Sequence, residues 1–218
     1  MLTKEQRKIL DEIFASDIRK TAVWGGGTAL SENYLHHRKS DDIDIILSDL
    51  PPSAELTILT NKIAKSLKVV SKKSVANMNR FQYFFTQKGG KQQKLEFIYY
   101  PFPKLARPKK RDNIHIESLK DIAVSKTLAA YQRQEVKDAF DLFIILKKKY
   151  FSLNGLIKGV EKKFGEQIDA AMLLANLTEC LKNFNDLMPL LSDKTVKKSD
   201  MNKFFQELFN KYMRRKKL

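Results

Sequence analysis

The chain has 218 residues, 43% of them hydrophobic, and a formal net charge of +16 from 41 Lys and Arg against 25 Asp and Glu. That is enough for one sizeable core or two small ones, so it reads as a soluble globular protein rather than a disordered one, and its charge favours polyanionic partners, nucleic acid first among them. No apolar run approaches the ~20 residues that span a bilayer, the start Met1-Leu2-Thr3-Lys4-Glu5-Gln6 is polar, and a single cysteine, Cys180, excludes an intramolecular disulfide. A cytoplasmic protein with no membrane partner and one buried thiol is expected.

In chain order, a helix is expected from about Lys4 to Arg19, opened by a Thr3/Gln6 capping box. Thr21–Trp24 reads as a short buried strand that runs into Gly25-Gly26-Gly27. A helical run from Thr28 to Leu35 follows, offering backbone N–H groups to a phosphate at its start. His36 and His37 read as caps of that helix, and Arg38 and Ser40 as residues that orient the next strand or touch phosphate.

Asp42-Ile43-Asp44-Ile45-Ile46-Leu47 reads as that strand. Successive strand side chains alternate between faces, so Asp42 and Asp44 share one face and Ile43 and Ile45 the other. Taken singly, a strand-edge carboxylate is ordinarily solvated and a glycine run is ordinarily a flexible turn. Together, two carboxylates beside a core call for a cation, and the glycine turn ahead of them calls for phosphate.

A helix is expected over about Ala54 to Leu67. Strands over Arg80–Thr86 and Gln93–Tyr99 then flank Gly89-Gly90 as a hairpin. Glu96, between Leu95 and Phe97, reads either as a third acidic ligand or as a solvent-facing glutamate beside Lys94, with Asp112 and Glu117 as weaker alternatives. Pro101, Pro103 and Pro108 mark a linker-like stretch, and from Ser118 onward the periodicity is helical, with breaks at Asn154-Gly155, Gly165, Pro189 and the run Ser192 to Ser199. The chain therefore divides into an α/β part over 1–112 and a mainly helical part over 113–218, an α+β protein with a mixed sheet.

Lys126 falls on the helical stripe of Leu119, Ile122, Ala123, Ala130 and Arg133, where an ammonium either meets an anion or snorkels out along its stem. Asp138 and Asp141, one turn apart, either hold Lys126, Arg133 or Lys137 or form a surface network, and Asp138 is also a candidate for the site itself. Arg107-Pro108-Lys109-Lys110-Arg111 and Arg214-Arg215-Lys216-Lys217 are basic patches suited to an RNA backbone.

Two blocks carry a resemblance. Gly26-Gly27-Thr28-Ala29-Leu30 followed by Arg38-x-Ser40-x-Asp42-Ile43-Asp44, and Lys126-x-x-Ala129-Ala130-x-x-Arg133-x-x-x-Lys137-Asp138-x-x-Asp141-Leu142, resemble the AbiEii/AbiGii toxin-type branch of the polymerase β-like nucleotidyltransferases. The resemblance implies a polymerase β-like core whose helical region completes a nucleotide and acceptor cleft. It implies an enzyme moving a nucleotide from an NTP to an acceptor hydroxyl, with two Mg2+ ions held by Asp42, Asp44 and Glu96. Gly26, Gly27, Thr28, Arg38, Ser40, Lys126 and Asp138 would bind the nucleotide, Lys126 through its triphosphate. RNA such as a tRNA end is the implied acceptor, and a protein or gene-level antitoxin the implied partner. The alternatives are a catalytically weak nucleic-acid-binding protein that retains the shell, and transfer to protein hydroxyls.

Overall fold

The structure, a computed structural model, describes residues 2–216, and the side chains of residues 2–214. Two compact units meet in the sequence between Ser118 and Leu119.

The first unit is built on a seven-stranded mixed sheet. Its strands are β1 (Ala22–Gly25), β2 (Ile43–Leu47), β3 (Val69–Asn77), β4 (Arg80–Gln87), β5 (Gln92–Tyr99), β6 (Lys109–Arg111) and β7 (Ile114–Ile116), in the order β3-β4-β5-β2-β1-β7-β6. β2 and β5 run parallel, as do β1 and β7, while β1–β2 and the β3–β4–β5 meander are antiparallel. Helices α1 (Lys4–Ala15) and α3 (Ser53–Ser66) pack on each other, and a short α2 (Gly26–Leu30) follows β1.

The helices begin and end where the local chemistry dictates. Thr3 and Gln6 form the expected capping box on α1, each side chain bonding the other's backbone N–H. α2 continues as a wider turn over Ser31–Leu35 and stops at His36, whose φ of 52° is left-handed and whose N–H donates to the Ser31 carbonyl. Ile43, Ile45 and Leu47 are fully buried on the core face of β2, beside Leu95 and Phe97 of β5 and Phe85 of β4. Lys72 of β3 reaches Asn61 of α3, which places that helix on the same face.

Two strand regions depart from the sequence reading. β3 is an edge strand with most residues exposed, so it lacks the apolar alternation that would announce it. The proline-rich stretch read as a linker leads into the β6–β7 hairpin, and Ile116 pairs with Trp24 of β1. The first unit thus runs to Ser118 rather than ending at 112, because β7 completes the sheet beside β1.

The second unit is helical among its described residues: α4 (Leu119–Gln132), α5 (Val136–Lys147), α6 (Leu153–Phe164), α7 (Ala170–Glu179), α8 (Phe184–Leu187) and α9 (Lys198–Lys216). Phe140, Phe143 and Phe205 are almost wholly buried, with Phe143 edge-on to Phe204 at 5.3 Å between ring centres. Gly165, at φ 71°, closes α6 as expected. Asn154-Gly155 is not a break: it forms the first turn of α6, because the Ser152 hydroxyl caps the Gly155 N–H. Lys163 of α6 forms a buried 2.9 Å ion pair with Asp121 of α4. Among the described residues no helix is long and apolar enough to cross a membrane.

Candidate active site

The register of three strands assembles the acidic face. Asp44 on β2 pairs with Glu96 on β5 and, on its other side, with Gly25 on β1. Asp42 precedes β2 by one residue and lies on the same face as Asp44, opposite the buried Ile43 and Ile45. Glu96 is 2% exposed, which removes the solvent-facing alternative.

Two cations compensate this face. Lys94 Nζ lies 3.1 Å from Asp42 Oδ2 and 3.5 Å from Glu96 Oε2, and Arg80 Nη1 donates to Glu96 Oε1 at 2.7 Å. Burial works to lower the pKa of Lys94, but the carboxylates of Asp42, Glu96 and Asp44 outweigh it and hold that pKa above the ordinary lysine value. Among the described residues no three His, Cys, Asp or Glu side chains form a ready-made metal cage. The Lys94 ammonium lies between Asp42 and Glu96.

The glycine turn closes over the same face. Gly26, with φ 69°, is where a Cβ would come within 1.9 Å of Asp44 Oδ2, and a Cβ on Gly27 would stand 2.7 Å from Arg38 Nη2 and 3.2 Å from Ser40 Oγ. The buried Arg38 guanidinium therefore packs against the turn. Thr28, also buried, donates its hydroxyl to the Asp42 carbonyl and stands 2.9 Å from Ser40 Oγ. It acts as a strut between the turn and the entry to β2. One row along the sheet, Glu117 approaches Gly25, whose Cβ would lie 2.6 Å from Glu117 Oε2. Asp112 is elsewhere, exposed in the β6–β7 turn and bonded to Arg7.

In the second unit Lys126 does not snorkel to solvent. Its Nζ lies 2.6 Å from Asp138 Oδ1 and 2.9 Å from Asp141 Oδ2, and Arg133 also binds Asp138, at 2.9 Å. Both aspartates are buried, so Asp141 belongs to an interior cluster and not to a surface network.

A model of the AbiEii nucleotidyl transferase toxin family, of a type IV toxin–antitoxin system, matches residues 8–216. The chain belongs to that family. It is 31% identical over 178 residues to the uncharacterized protein aq_aa25 of Aquifex aeolicus, across 81% of this chain and 82% of that one. Among solved structures it shares its fold with JHP933 of Helicobacter pylori, at TM-score 0.58 and 18% identity over 98% of this chain and 92% of the other. A candidate nucleotidyltransferase from the same organism matches at TM-score 0.57 and 18% identity, over 97% and 94%. The α+β fold and the nucleotidyltransferase assignment expected from the two sequence blocks agree with these matches.

Within this AbiEii framework Asp42, Asp44, Gly26, Gly27, Thr28, Arg38 and Ser40 gather where β1 ends and β2 begins, beside Glu96 in the middle of β5, while Lys126 and Asp138 stand together in the helical unit. Sequence reasoning gave no role to Lys94 or Arg80. The signal was present in the alternation of β5, which puts Lys94 and Glu96 on one face, but only strand pairing brings Arg80 beside them. Of the basic patches, Lys109–Arg111 form the exposed edge strand β6; Arg214 is exposed near the end of α9, the side chains of Arg215 and Lys216 lie outside the described ones, and Lys217 lies outside the described residues.

Proposed function

We propose that this nucleotidyltransferase is Mg2+-dependent and transfers a nucleotidyl group from an NTP to an acceptor hydroxyl on RNA, such as a tRNA end, in a cytoplasmic toxin–antitoxin pair with an antitoxin acting at the protein or gene level. The observation that carries the reading is the pairing of Asp44 with Glu96 on adjacent parallel strands, with Asp42 on the same face and a glycine turn closed over Asp44.

The donor set fits the metal. Three carboxylates on one face offer the hard oxygen ligands that Mg2+ takes. Asp42, Asp44 and Glu96 would hold the ions, whose chemistry in nucleotidyl transfer is to activate the attacking oxygen and stabilise the departing pyrophosphate. The chain's own residues do the rest. Gly26 lets Asp44, and Gly27 lets Arg38, close against the turn, whose backbone N–H groups would meet phosphate oxygens with Arg38 offsetting their charge. Thr28 and Ser40 hold the turn against the start of β2. Lys126 is assigned to the triphosphate on the strength of the second sequence block, with Asp138 and Asp141 orienting it.

The test is to incubate the purified chain with each labelled NTP, Mg2+ and total RNA, and to separate RNA from protein. Label on RNA that disappears in Asp44→Ala is the expected result. Label on protein would favour protein hydroxyls as acceptor, and no label with any NTP would favour a nucleic-acid-binding shell without turnover.

A further inference from the structure

The acidic face does not end at Glu96. Pairing across the meander sets Glu96 beside Gln82 on β4 and Gln82 beside Val75 on β3; one register step away, Lys94 pairs with Phe84 and Phe84 with Lys73. Because strand side chains alternate, these residues share the face of Asp44 and Glu96, while Tyr83 and Phe85 point into the core and are buried. The outer half of this face is open. Val75 is 51% exposed, Lys73 is exposed, and Phe84 and Gln82 are partly exposed. β3 lies two strands, ~10 Å, from β5.

An aromatic ring flanked in register by two lysines, on a surface that runs directly off a carboxylate cluster, has a specific chemistry. Any nucleobase presents a flat face that stacks on phenylalanine whatever its sequence, and the exposed Lys73 beside the ring is placed to meet a phosphate that joins successive bases, while Lys94 stays with the carboxylates. A polypeptide acceptor has no comparable repeat of planar ring and negative charge.

We propose that the β3–β4 side of this sheet face binds the acceptor as a single-stranded RNA end, with a base stacked on Phe84 and the backbone phosphates against Lys73. The proposal rests on the RNA-acceptor reading and adds to it the surface that presents the terminal hydroxyl to Asp42, Asp44 and Glu96. It also gives β3 a use: an exposed, polar edge strand contributes little to the core, but it extends the platform beyond the carboxylates.

The test is fluorescence anisotropy of a labelled single-stranded RNA against the full chain over a range of salt, alongside the thermal shift produced by Mg-NTP. Phe84→Ala is expected to weaken RNA binding by about one to two orders of magnitude, the range measured for loss of one base-stacking ring. Phe84→Tyr should retain it. Lys73→Glu should weaken binding and reduce the magnitude of the log–log salt slope by about 0.7 or more, the increment for one single-strand phosphate contact. Both variants should keep the wild-type Mg-NTP shift, and because Lys73 is exposed its substitution tests the surface even if Phe84→Ala destabilises the sheet. Wild-type RNA affinity and salt slope in folded Lys73→Glu and Phe84→Ala would overturn the proposal while leaving the RNA reading intact. Absence of RNA binding by the wild type, with label transferred to protein, would overturn both.

Discussion

The Cα of Gly26 sits so close to the carboxylate of Asp44 that a Cβ there would stand 1.9 Å from Oδ2, and the φ of 69° is one that side chains other than glycine's resist. Gly26→Ala therefore has to displace either the turn or Asp44. The left-handed conformation alone costs about 1–2 kcal/mol. The expected outcome is a lower Tm together with loss of transfer activity, whereas an active variant of wild-type Tm would show that the turn does not constrain Asp44.

Lys94 is the cation that Asp42 and Glu96 share. Lys94→Met keeps most of the stem but removes the ammonium 3.1 Å from Asp42. Carboxylates left facing one another lower the Tm in metal-free buffer, and an ion then binds without displacing a tethered competitor. Titration with Mn2+ should accordingly raise the Tm of Lys94→Met more than that of the wild type. A smaller rise would mean that Lys94 supports the metal site instead of competing for it.

Lys126 has both a structural and a chemical role to lose. Its substitution by Met takes the ammonium from two buried carboxylates, Asp141 and the Arg133-bound Asp138, and the penalty of breaking a buried pair is about 3–5 kcal/mol. Denaturant unfolding should show a loss of that order. Adding Asp141→Asn to Lys126→Met should recover part of the stability and none of the transfer activity; recovery of both would make the cluster purely structural.

Cys180 tests the second unit's core. Burial, with Asp138 adding its charge, pushes the thiol pKa from 9.0 up to about 11. The unfolded chain gives up this proton first, so the contribution is complete below about pH 9 and is lost as pH rises toward 11. Between pH 8 and 10.5 the wild type should therefore lose more stability in urea than Cys180→Ala does. Equal losses would place the thiol in water.

Much of the site was legible because its signals are local. An Asp-x-Asp within an apolar strand, a glycine turn ahead of it, and a lysine spaced in register with apolar neighbours each follow from periods of 2 and 3.6 residues along the chain. Thr3 and Gln6 announced the start of α1 for the same reason. β3 was not legible, because an edge strand with solvent on most of its residues carries no hydrophobic alternation, and neither was the β6–β7 hairpin, whose strands are three residues long and follow a run of prolines.

The acidic pair, the glycine turn and each family block are legible along the chain, since each is a pattern of residues within one short segment, and the α+β composition follows from the periods of those segments. Strand pairing and helix packing set Asp44 beside Glu96, bring Arg80 and Lys94 to Glu96 and Asp42, extend their face with Phe84 and Lys73, and put Asp141 in the interior. Those relationships join residues on different strands or helices, and the pairing register that creates them is set by how whole faces bury against the core.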